Sequence, residues 1–309
     1  MATLAEKVAA GRTVITSELP AIDGGGLADV DRQLAPMRAW VDAVNATDNT
    51  AAHAHASPLA VAIAMRQAGV EPIMQLVGRD RNRLALEADI VGAAMHGIEN
   101  LCCLTGDKVD AGDEPEAASV FDLDGRGLVA LAQTLAGGRY LSGRPLEPAP
   151  RLFIGAVESA TPPPIESRVD RAAMKTKAGA RFLQLQISFV PGLLEEFVSQ
   201  CAQAGVTAAL LPSITLLGSV RGLRFMDEKV PGVDVPAHIL ERIVSAGDEA
   251  AALLDLAYEQ ARHALSLPGV SGLHLISFRK DDAIAQLCQR LGLAPTAERD
   301  HAHDSAVTL

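Results

Sequence analysis

Residues 175–189 read Lys-Thr-Lys-Ala-Gly-Ala-Arg-Phe-Leu-Gln-Leu-Gln-Ile-Ser-Phe. Two regular patterns meet here. A helix-like run ends at Ala178, Gly179 follows, and from Phe182 the residues fit a strand. Glycine at such a junction stops a helix in the left-handed conformation and turns the chain into a strand. The same junction recurs as Ala68-Gly69-Val70 and Ala204-Gly205-Val206. A chain that repeats it is alternating helices with strands.

Working outward, strands are expected over 13–19, 43–48, 71–78, 100–107, 152–157, 182–189, 208–214 and 272–278. Helices are expected over 27–38, 58–68, 83–96, 127–135, 166–178, 193–204 and 281–291, with helical segments filling 219–267. An acidic, Gly/Pro-containing loop spans 108–124 and is the least regular internal segment. Eight alternations in 309 residues point to a closed α/β fold, the (β/α)8 TIM barrel. A doubly wound open sheet is the competing arrangement. One barrel domain is expected over 1–294, then a polar, flexible tail over 295–309.

Composition narrows the function. Hydrophobic residues make up 49% of the chain but aromatics only 3%, so Ala, Val, Leu and Ile must build the core. A net charge of -11, spread along the chain, argues against a nucleic-acid partner. It leaves room for a small anionic ligand bound by local positive charge. No apolar run approaches the ~18 residues a membrane span needs, and the N-terminus does not read as a signal peptide. Cys102, Cys103, Cys201 and Cys288 lack zinc-ligand spacing, which fits a reduced, cytoplasmic setting. His53 and His55 have no third partner in sight, so no metal is expected. Gly24-Gly25-Gly26 lacks the spacing and lysine of a phosphate loop.

In a barrel of this kind chemistry gathers where the strands end. Three polar residues stand out there against apolar surroundings: Glu18, Asp107 and Gln186. A partly desolvated carboxylate at Glu18 can hold a proton and deliver it as a general acid. Gly106 before Asp107 permits a flat ligand to approach the backbone. Gln184 and Gln186 alternate onto one strand face, where inward amides need partners such as a pterin edge. By position alone, a loop-capping Glu, a turn-initiating Asp and an internally bonded Gln explain the same residues.

Taken in order, these residues resemble a known family. Ser17-Glu18-Leu19-Pro20, Val44-Asn45-Ala46-Thr47-Asp48-Asn49, and Leu104-Thr105-Gly106-Asp107 are similar to strand-end signatures of methylenetetrahydrofolate reductases. So are Lys175 with Ala178-Gly179-Ala180 through Gln184-x-Gln186, Val230-Pro231 through Ile239, and Pro268-Gly269-Val270-Ser271-Gly272-Leu273-His274. The resemblance implies reduction of 5,10-methylenetetrahydrofolate to 5-methyltetrahydrofolate, or the reverse. Hydride would come from NADH or NADPH through a bound flavin, FAD. Glu18 would be the general acid, Asp107 would lie between flavin and pterin, and Gln186 would bind the pterin. Thr47, Gln75, Thr105, Gly106, Asp107 and Lys175 would line the flavin site. Lys280 would meet the folate glutamate. A homo-oligomer is compatible with the family.

Departures from the pattern fall mostly on flavin contacts. Gln75 stands where a histidine is frequent, Thr105 replaces an arginine, and no aromatic lies at Val220. After the fifth strand, Glu158-Ser159-Ala160-Thr161-Pro162-Pro163-Pro164 replaces a Tyr-Pro-Glu-x-His stretch. A folate-dependent methyl-transfer partner and a flavin-independent folate-binding barrel are therefore the alternative readings.

Overall fold

The strands are β1 (Val14–Glu18), β2 (Ala43–Ala46), β3 (Pro72–Val77), β4 (Asn100–Leu104), β5 (Phe153–Glu158), β6 (Phe182–Leu185), β7 (Ala209–Leu216) and β8 (Gly272–Ser277). In this computed structural model, which describes residues 2–307 apart from 25, 163, 280 and 281, they close into one barrel in chain order. All pairings are parallel, and β8 returns to β1 with Val14 opposite Gly272 and Thr16 opposite His274. The fold is the expected (β/α)8 barrel, and the open sheet is excluded.

The outer layer carries α2 (Leu27–Leu34), α3 (Pro58–Gln67), α4 (Arg83–Met95), α5 (Gly125–Ala136), α6 (Ile165–Ala178) and α7 (Pro191–Gln203). Between β7 and β8 the helical stretch resolves into α8 (Val220–Lys229), α9 (Ala237–Val244) and α10 (Glu249–Ser266), and α11 (Ala283–Arg290) follows β8. Gly69, Gly179 and Gly205 all take positive φ at helix ends, as the Ala-Gly junctions require. Aliphatic side chains between strands and helices form the main core, including Ile15, Val44, Leu76, Leu101, Leu183 and Leu273.

Two strands stop three or more residues sooner than their alternation predicts. β4 ends at Leu104 rather than 107, and β6 at Leu185 rather than 189. Gly106 turns the chain out of the barrel at φ +93°. After Gln186, Ile187 and Phe189 leave the barrel to pack with Leu223, Met226, Ile239 and Leu253 beneath α8, α9 and α10. The 108–124 loop holds only the short 3-10 turn Val109–Ala111. Val120 ties it down by donating to the Arg79 carbonyl at 2.7 Å.

The lower interior is closed by α1 (Leu4–Ala9), a helix the periodicity does not announce because it is short. Its Thr3/Glu6 capping box is complete, and Leu4 plugs a layer formed by Val14, Ala43, Ile73, Cys102, Phe182 and Leu211. Phe182 fills the space that Gly155 leaves open. A Cβ on that glycine would lie 2.1 Å from the ring. All four cysteines are buried and free, and burial pushes the Cys103, Cys201 and Cys288 thiols up to about 12. They are core residues rather than nucleophiles.

The segment that composition marks as a flexible tail carries α12 (Thr296–Val307). Its first turns dock on the underside of the barrel. Arg299 donates to Asp42 at 3.1 Å and to the Trp40 carbonyl at 3.0 Å, and Asp300 receives Arg12 at 2.7 Å. Asp42, fully buried, also takes Lys7 at 2.9 Å and the Ile15 amide at 2.7 Å. No described helix is long and apolar enough to cross a membrane.

Candidate active site

A cavity of about 620 Å³ opens at the C-terminal ends of the strands. Its wall takes one or more side chains from nearly every strand end, among them Glu18, Gln75, Asp107, Glu158, Gln186, Ser213 and His274. The alternation of strand side chains aims these groups inward, and the parallel closed topology brings them to the same end.

Glu18 is the last residue of β1, with a side chain 25% exposed. Its Oε2 lies 3.8 Å from Nε2 of His274, a buried residue of β8. Behind that histidine the barrel interior is polar. Nδ1 of His274 meets the Thr16 hydroxyl at 2.9 Å and the Gln184 amide nitrogen at 3.2 Å. Gln184 and Asn45 exchange amide hydrogen bonds, 2.8 Å from Asn45 to Gln184 and 3.0 Å in return. With the Gln184 NH2 donating to Nδ1, the ring hydrogen belongs on Nε2, the nitrogen facing Glu18. Side chains from β1, β2 and β6 thus fix the ring beneath the carboxylate.

Asp107 is exposed on the β4 side, and its backbone carbonyl accepts from the Arg79 guanidinium at 3.4 Å. Gly106 must be small as well as left-handed. A Cβ there would stand 2.5 Å from Val77 Cγ1. Gln186, half-buried, follows β6; its backbone N–H donates to the Glu158 carbonyl at 2.7 Å, and its side-chain oxygen accepts from the Ile187 amide at 3.0 Å. Glu18, Asp107 and Gln186 therefore line one cavity from three sides of the barrel.

The residues implied for flavin divide differently. Gln75, Thr105, Gly106 and Lys175 line the cavity, whereas Thr47 is buried and is not on its wall. The Thr105 hydroxyl accepts from the Gly125 amide at 2.9 Å, at the start of α5. Lys175 spends its ammonium on the Val157 carbonyl at 2.6 Å and on Glu158 at 2.8 Å. Glu158 also takes Arg171 at 2.9 Å and the Ser159 amide at 3.0 Å. Burial opposes ionisation of this carboxyl, but Arg171 and Lys175 outweigh it and hold Glu158 below the usual carboxylate range. Lys280 lies outside the described residues.

Two more charged groups shape the wall. Asp48 accepts from the Val77 amide at 2.8 Å and pairs closely with Arg81, yet burial still raises its carboxyl above the usual range. Arg79, buried, grips Asp80 through two hydrogen bonds of 2.6 and 2.7 Å. Sequence reasoning assigned no role to His274, Asn45, Thr16 or Arg168. The first three were visible as polar residues in apolar strands, but their inward parity and mutual contact were not.

A family model described as methylenetetrahydrofolate reductase matches residues 26–292. A curated relative from Caenorhabditis elegans, "Probable methylenetetrahydrofolate reductase (NADPH)", is 25% identical over 123 residues. That match covers 38% of this chain and only 18% of the relative. Among solved structures, an uncharacterized protein from Clostridium thermocellum that binds two copies of 5-methyl-5,6,7,8-tetrahydrofolic acid shares the fold. The TM-score is 0.65 at 13% identity, over 92% of this chain and 97% of that one. β1 and Glu18 precede the residues of the family match, which does not bear on Glu18. With most of its length matched by the family model, the chain belongs to the methylenetetrahydrofolate reductase family.

Proposed function

We propose that this chain reduces 5,10-methylenetetrahydrofolate to 5-methyltetrahydrofolate with hydride from a reduced nicotinamide dinucleotide, NADH or NADPH. The observation that carries the reading is the convergence of Glu18, Asp107 and Gln186 on one cavity. The pterin would lie across this cavity. The Gln186 side-chain NH2 can donate to its edge, its oxygen being held by the Ile187 amide, and the Asp107 carboxylate accepts from its N–H groups. Glu18 donates a proton to N10 as the bond from the methylene carbon to N10 breaks. The carbon is left as an iminium on N5. Hydride from the nicotinamide closes it to the N5 methyl group, and the dinucleotide leaves oxidised. Such a positioned acid contributes about 10²–10⁴ in rate.

Of the residues implied for flavin, Gln75, Thr105, Gly106 and Asp107 line the cavity, but two others do not stand ready for it. Lys175, the cation implied for its phosphates, is neutralised by Glu158, and Thr47 is off the wall. No step is therefore derived through a flavin. The same observation favours a second reading, a folate-binding barrel that serves methyl transfer. Incubating purified protein with 5,10-methylenetetrahydrofolate and NADH or NADPH separates the two. Formation of 5-methyltetrahydrofolate with oxidation of the nicotinamide supports reduction. Tight folate binding with no turnover, with or without added FAD, supports the binding barrel.

A further inference from the structure

Arg168, Arg171 and Lys175 lie three and four residues apart on α6 and so share one face of that helix. Arg171 and Lys175 are spent on Glu158. Arg79, after β3, is spent on Asp80. Among the described residues that line the cavity, Arg168 is the cation that no carboxylate binds. Its one hydrogen bond runs from Nε to the Pro162 carbonyl at 3.1 Å, which fixes the guanidinium plane and leaves both terminal nitrogens open. It is half-buried. Burial first, and then the neighbouring charge of Arg171, disfavour its charged form. A guanidinium held so, with only the through-space pull of Glu158 to balance it, gains from an arriving anion.

The surroundings form a lobe of the cavity. Ser159, Thr161 and Pro162 make one side, and Pro231 and Gly232 the other. The Thr161 hydroxyl locks the two together by donating to the Gly232 carbonyl at 2.8 Å. α6 itself opens without a side-chain cap, so its first amides add positive potential on the same side.

We infer that Arg168 is the anion-binding residue of this cavity, taking a phosphate or carboxylate group of the ligand between the 159–162 and 231–232 segments. The anion has two sources in the reaction proposed above, the pyrophosphate of a nicotinamide dinucleotide or the glutamate of the folate. A single unpaired guanidinium suits a ligand that must come and go. The inference needs an anionic ligand, not turnover, so the two fail separately. A wild type without reductase activity would sink the reaction and leave the binding result standing.

The test is titration calorimetry on the full chain with inorganic pyrophosphate, NADH and monoglutamyl 5-methyltetrahydrofolate, comparing wild type with Arg168→Gln and Arg168→Lys. Gln retains a donor for the Pro162 carbonyl without the charge. Arg168→Gln should weaken pyrophosphate at least about tenfold, with Arg168→Lys in between, because a charge-assisted contact is lost. A matching loss for NADH alone assigns the dinucleotide as source, and a loss for the folate alone assigns the glutamate. The inference is overturned if Arg168→Gln binds all three as wild type does, or if wild type binds none of them.

Discussion

Nε2 of His274 stands 3.8 Å from Oε2 of Glu18, on a ring whose other nitrogen is held by Thr16 and Gln184. The imidazole thus presents its N–H to the carboxylate from below while the cavity lies above it. His274 acts through Glu18, as a positioning residue. Replacing it with Gln should lower kcat by up to about tenfold, the scale of a lost orienting contact that is too long for a hydrogen bond. KM for the folate should stay close to wild type, and the pH profile of kcat should shift. A variant with an unmoved profile would show that His274 only fills space.

The Glu158 cluster sets an acid limit on stability. Its carboxyl is held below the usual range, so the folded state is favoured above the unfolded Glu pKa and loses that advantage as pH falls through the folded value. Asp48 works the other way. Its raised carboxyl costs stability at neutral pH, and that cost shrinks on acidification. Urea melts between pH 7 and 3 should show less acid destabilisation in Glu158→Gln than in wild type. At pH 7 that variant should be less stable by about 3 kcal/mol, since it leaves Lys175 without its counter-charge.

The underside of the barrel should tolerate no loss of its buried acid. Asp42→Ala leaves Lys7 with Asp300 alone and Arg299 with uncharged partners such as the Trp40 carbonyl, and should cost about 3 kcal/mol. Removing residues 295–309 takes away Arg299 and Asp300 and should lower Tm by several degrees. Ligand affinities, set at the other end of the strands, should not change. Thermal melts alongside binding titrations check both points.

Gly155→Ala should destabilise by roughly 1–3 kcal/mol, because its Cβ would press on the Phe182 ring from 2.1 Å. The double variant Gly155→Ala/Phe182→Leu should recover part of the loss. Equal losses in the single and double variants would contradict the packing account.

Much of this molecule is legible in its amino-acid order. The Ala-Gly junctions, short β-branched runs and their count lead to the closed barrel, and the barrel places Glu18, Asp107 and Gln186 at one end. What escapes a linear reading is the set of relations between elements. Lys175 looks available there because nothing shows that Glu158, at the end of β5, faces α6. The inward turn of His274 depends on the register of β8 against β1. α1 and the docking of α12 rest on the ion-pair cluster around Asp42, whose members lie at opposite ends of the chain. Arg168 matters only because its neighbours are neutralised, and that too is a property of packing.

The most direct measurement of the central claim is single-turnover reduction of 5,10-methylenetetrahydrofolate by wild type and Glu18→Gln, with 5-methyltetrahydrofolate binding measured on both. If Glu18 is the proton donor, the variant binds the folate within a few-fold of wild type while its rate falls about 10²–10⁴-fold. A Glu18→Gln enzyme that turns over at the wild-type rate would contradict the account.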